Sequence, residues 1–188
     1  MFIKKSKPDE GEFGYLKYQK KANILITLFF FALSFSVLVS AYILSGHTRN
    51  NVGTVFAAVM VLPACKSLTG LVILLPHKSA SKNLYERINA MNTQTCVLYD
   101  MLMTSEEKSM YADAIAIDEE KVVMFVNEKG QDTGYIKKYF SKVSGAYELG
   151  VEIDVCTDED DFISAVKSMG PVNENVENIA QTIKYFGF

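Results

Sequence analysis

Two long apolar runs, residues 24–44 and 52–75, stand close together near the start of this 188-residue chain. Each is long enough to cross a bilayer. A hydrocarbon core of roughly 30 Å needs about 20 apolar residues as a helix, because every backbone donor and acceptor there must be satisfied inside the segment. The first run, ILITLFFFALSFSVLVSAYIL, contains no charge; the second, VGTVFAAVMVLPACKSLTGLVILL, holds only Lys66. The runs predict a transmembrane helical hairpin over residues 23–76, a basic cytosolic arm over residues 1–22 and a cytosolic domain over residues 79–188.

Charge sets the expected orientation. Lys4, Lys5, Lys7, Lys17, Lys20 and Lys21 precede the first run, and Lys78, Lys82 and Arg87 follow the second. The connection between them carries only Arg49 and His47. Basic residues collect on the cytoplasmic side, so both termini are expected there, in a plasma membrane crossed twice. A cleaved signal peptide ending at Val39 and Ala41 is the competing reading, but the apolar run is long for one. Tyr15 and Tyr18 suit the membrane interface, where lysines also favour anionic lipid by about 1 kcal/mol each. The lipid bilayer is therefore the first expected partner.

The remaining 110 or so residues suffice for one domain with its own core. The net charge of −3 conceals a basic arm followed by a more acidic remainder, densest at Asp158, Glu159, Asp160 and Asp161, so nucleic acid is not a favoured partner. Three cysteines without close spacing suggest neither a disulfide framework nor a zinc site. The acidic cluster lacks the spacing and central glycine of a calcium loop and reads as complement to a helix dipole. His47 and His77 flank the apolar runs on opposite sides and cannot form a pair.

Lys66 is the intramembrane polar residue that needs a reason. It lies nine positions from Leu75, roughly 14 Å at helical rise. Antiparallel packing is expected to bring it near the depth of Ser34, while Pro63 frees a carbonyl nearby. A structural polar pocket is one reading and a small subunit of a transport complex another. Ala32, Ser36 and Ser40 share a face that either packs on the second helix or lets another helix approach closely.

Beyond the hairpin, periodicity predicts the order α-β-β-β-α-β-α-α. A helix follows Ser81, with Leu84, Ile88 and Met91 as its stripe. Strands are expected over 95–103, 110–117 and 122–126, then a helix over 134–147 and a strand over 151–155. Thr157 with Asp160 resembles a capping box opening a helix that Gly170 and Pro171 end. A last helix over 174–186 places Val176, Ile179, Ile183 and Phe186 on one face.

That order resembles the core of the restriction-endonuclease-like fold, and YADAIAIDEEKVVMFVNEKG is similar in layout to a nuclease-related domain. The resemblance implies a divalent metal, Mg²⁺ or Mn²⁺, held by an acid on the second core strand and a Glu-x-Lys on the third. Asp113 matches the first position, Asn127 and Lys129 match the other two, and Glu86 on the preceding helix matches an additional acid. The two apolar helices followed by a domain containing CVLYD also resemble a family of uncharacterised bacterial membrane proteins. The nuclease pattern is broken at Asn127, whose neutral carbonyl oxygen replaces a carboxylate; strand alternation turns Glu128 to the opposite face. The expectation is accordingly a membrane-tethered, non-catalytic binding or scaffolding domain that associates with another protein or with itself and needs no cofactor. A metal-dependent nuclease and a transport subunit are the alternatives. The basic helical patch of Tyr135, Lys137, Lys138 and Lys142 reads as a solvated surface.

Overall fold

The structure is a computed structural model, and it describes residues 7–46, 48, 51–91, 94–105, 107–127 and 130–187. His47, Arg49, Glu128 and Lys129 lie outside the described residues. The chain divides into two units, Lys17–Pro76 and a second comprising Met1–Leu16 with His77–Phe188.

The first unit is a pair of antiparallel helices. Helix α1 (Tyr15–Leu44) begins nine residues before the uncharged run, so Tyr15, Tyr18, Lys20 and Lys21 are helical. Helix α2 (Val52–Leu74) is capped by Asn51, whose side chain accepts from the Thr54 N–H. Small residues let the two backbones approach. A Cβ on Gly53 would lie 2.3 Å from that of Ala41, Ser34 donates to the Ala57 carbonyl at 2.7 Å, and Ser67 donates to the Asn23 carbonyl at 3.0 Å. Pro63 sits inside α2. The outward faces are apolar and uncovered: only 11% of the most apolar window of α1 and 22% of that of α2 are buried. The helices are long and apolar enough to cross a membrane.

The second unit holds a four-stranded mixed sheet between two helical layers. In chain order it contains α3 (Lys82–Ala90), β1 (Cys96–Thr104), β2 (Ser109–Ile117), β3 (Lys121–Phe125), α4 (Thr133–Ala146), β4 (Glu152–Cys156), α5 (Glu159–Ser168) and α6 (Glu174–Tyr185). The sheet order is β1-β2-β3-β4, antiparallel except for the parallel pair β3–β4, which α4 connects. Apolar stripes place Ile136 and Phe140 of α4 and Val176, Ile179 and Ile183 of α6 on one face of the sheet. Leu84 and Ile88 of α3 and Phe162, Ile163 and Val166 of α5 cover the other. Ser81, Asp132 and Asn173 cap α3, α4 and α6 with their side chains.

Helix α5 corrects one expectation. Its N-cap is Asp158, accepting from the N–H groups of Asp160 and Asp161, and not Thr157. A carboxylate at that position satisfies two orphan amides and complements the positive end of the helix. Arg87 of α3 then spans Glu159 and Asp160 at 2.8 and 2.6 Å, tying the two helices of that layer.

Strands β1 and β2 each skip a residue at the same place. Leu98 and then Met101 and Met103 of β1 face the core beneath α4 and α6, as do Met110, Ala112, Ile115 and Ile117 of β2. The inward positions thus change from even to odd across Asp100 and across Asp113, although Tyr99 still pairs with Ala114 and Met101 with Ala112. Asp100 adopts a left-handed backbone, φ +54°. Skipping both residues together keeps the ladder in register while re-aiming two carboxylates.

Candidate functional site

Asp113 is buried near the middle of β2, and its Oδ2 accepts from the Asn127 N–H at 2.9 Å, just beyond β3. The carboxylate thereby holds the chain where it leaves the sheet. Asp113 and Asn127 are thus neighbours through the backbone of Asn127. Lys129, the third residue of the pattern, is outside the described residues. Glu86 is on the exposed side of α3, 3.0 Å from Lys82 in an i,i+4 pair. Among the described residues, no three His, Cys, Asp or Glu side chains gather into a group able to hold a metal ion.

Two shallow clefts open on the same unit. One, of about 320 Å³, is lined by Ser105, Glu107, Tyr135, Tyr139, Lys142 and Tyr147. Its walls are knitted by local contacts: the Ser105 and Tyr135 hydroxyls lie 2.9 Å apart and Lys108 rests 4.9 Å above the Tyr135 ring. Within the basic patch of α4, Lys137 is paired with Asp154 at 3.2 Å. The other cleft, of about 490 Å³, lies over β3 and β4 beside Lys121, Asp154, Cys156, Thr157 and Asp161. Burial, with nearby Asp154 and Asp161, pushes the Cys156 thiol up to about 11, so it is a weak nucleophile at neutral pH.

The hairpin places Lys66 differently from the expected level. Ser34 is spent on the Ala57 carbonyl, nine residues along α2 from Lys66, and the two do not meet. The contact between Ser67 and Asn23 puts Lys66 level with Asn23 and Ile24, within a turn of Lys20 and Lys21. Lys20 itself donates to the Leu75 carbonyl at 3.2 Å. Lys66 is exposed and has no hydrogen-bond or ion-pair partner among the described residues. Ala32, Ser36 and Ser40 are likewise exposed, on the face of α1 turned away from the α2 seam.

Among the described residues, one buried and heavily bonded carboxylate is a residue that sequence reasoning did not single out. Asp100 is 2% exposed, and its Oδ2 accepts from the Gly14 N–H at 3.0 Å, the Leu16 N–H at 3.3 Å and the Ser79 hydroxyl at 2.6 Å. Its Oδ1 accepts from the Ala80 N–H at 2.7 Å and the Tyr111 hydroxyl at 3.1 Å. Gly14 and Leu16 flank the first residue of α1, where glycine offers no capping side chain, so Asp100 supplies the acceptor and the negative charge from elsewhere in the chain. The buried ring of His77 stacks on Tyr111 with centroids 5.2 Å apart, beside the same node. The signal was present in the sequence as a single carboxylate inside the apolar stretch VLYDMLM. A charge in such a place requires several donors. No family model, curated protein or solved structure matches the chain.

Proposed function

We propose that this is an integral membrane protein whose hairpin tethers a cytoplasmic, non-catalytic α/β domain that binds or scaffolds another protein at the membrane surface. The uncovered apolar faces of α1 and α2 carry this reading, because contiguous surface of that kind is stable only against lipid or another apolar partner. The 21 residues of the uncharged run in α1 span about 31 Å, matching one hydrocarbon core. The lysines at positions 17, 20 and 21 then mark its cytoplasmic boundary, with Lys66 at the same level. Tethering confines the domain to a surface and raises its effective concentration for anything else held there. The full chain should remain in the pellet after alkaline carbonate extraction, and the α/β domain should resist protease added outside sealed cells. Release into the supernatant, or digestion from outside, refutes the respective half of the proposal.

The order α-β-β-β-α-β keeps a restriction-endonuclease-like core, and with it a metal-dependent nuclease, as the second reading. Commitment of Asp113 to a backbone amide and the neutral side chain of Asn127 count against metal affinity. The detergent-solubilised chain is expected to leave DNA and RNA intact with Mg²⁺ or Mn²⁺, and neither ion should raise its melting temperature. Cleavage that Asp113→Ala abolishes while the domain stays folded would reverse this conclusion.

A further inference from the structure

We propose that Asp100 is a clasp coupling the two stretches of chain next to the hairpin, so that residues 9–16 and 77–81 are held on the α/β domain together and released together. This goes beyond tethering and does not depend on what the hairpin is embedded in. The coupling resides in one shared oxygen. Oδ2 accepts from Gly14 and Leu16 on the first stretch and from Ser79 on the second, while Oδ1 takes Ala80 on the second and Tyr111 from the sheet. Donors from either stretch orient the buried carboxylate for the other, so a stretch that lets go leaves the other facing an acceptor that is no longer held in place. The left-handed backbone of Asp100 aims the side chain at both.

Release has a defined consequence at the domain surface. The first stretch lies along the outer edge of β1, where the Gly11 carbonyl accepts from the Tyr99 N–H at 2.8 Å. A Cβ at Gly11, whose φ is +86°, would come within 3.0 Å of the Leu98 and Lys184 side chains, so the fit is close. Phe13 stacks on Tyr85 with centroids 4.4 Å apart and meets Tyr99 edge-on at 6.0 Å. Opening the clasp bares the Tyr85 and Tyr99 rings and the Tyr99 N–H at the edge of β1.

Hydrogen exchange on the full chain in detergent micelles tests the coupling. Ser79→Ala removes a donor from the second stretch alone, yet the Gly14 and Leu16 amides should exchange at least about threefold faster, along with Ala80. Asp100→Asn keeps the shape but replaces one acceptor oxygen by an NH2 that faces the backbone N–H of one stretch; because the two stretches are coupled, all three amides should accelerate by about tenfold or more. Ile115 and Val123, inside the sheet, should keep their protection in both variants. Faster exchange at Ala80 alone in Ser79→Ala overturns the clasp. So does unchanged exchange at all three amides, or equal acceleration at Ile115 and Val123.

Discussion

Asp100→Ala is expected to destabilise the α/β domain by about 3–5 kcal/mol, because three backbone N–H groups lose a buried acceptor and only part of that loss is recovered by water. Domains of this size are stable by roughly 5–15 kcal/mol, so the variant should be near the limit of folding. Asp100→Gly separates the two roles of the residue. Glycine adopts the left-handed backbone freely, so this variant should lose about 1 kcal/mol less than the alanine variant. Urea denaturation followed by tyrosine fluorescence measures both, since the chain contains no tryptophan. If both variants unfold within about 1 kcal/mol of the parent, the carboxylate is not what secures the node.

A lysine placed at the middle of the hairpin should be far more damaging than the one already there. Phe35 is 67% exposed and sits next to Ser34, which is level with Ala57 halfway along the uncharged run. Phe35→Lys is expected to disfavour membrane insertion by about 3 kcal/mol, roughly a hundredfold in the inserted fraction. Lys66→Leu should change insertion by less than about 1 kcal/mol, because in the proposed orientation an ammonium at the level of Ile24 would reach the headgroups. Partition between carbonate pellet and supernatant reports both. A large gain in insertion from Lys66→Leu would mean that Lys66 sits in hydrocarbon and that the boundary drawn at the α1 lysines is misplaced.

Periodicity made the elements of the domain legible, since each helix stripe and each apolar strand is written locally in the sequence. What it concealed is long-range or depends on the choice between equivalent neighbours. The early start of α1 was hidden because hydropathy marks where lipid begins and not where a helix does: Lys17, Lys20 and Lys21 continue the same helix. The level of Lys66 follows from Gly53 meeting Ala41 and Ser67 meeting Asn23, a register fixed by small side chains that hydropathy does not weigh. Thr157 and Asp158 are both competent caps, and the backbone places the second at the helix start. For the nuclease resemblance, matching residues to positions is silent on which atoms face each other, and the structure has Asp113 accepting from the Asn127 N–H. The partners of Asp100 lie up to 86 residues away, so the sequence displays the anomaly without its solution.

Because Leu16 and Ser79 donate to the same oxygen of Asp100, the hairpin is an excursion between two points of the fold that nearly touch. A short glycine-serine bridge from Leu16 to His77 can therefore replace the greasy excursion and yield a water-soluble miniature that retains its edge guard. A fragment begun at His77 instead lacks Gly11 and Phe13, so Gly187 beside Met103 is left to guard the margin of β1 while the stretch at Tyr99 stands open.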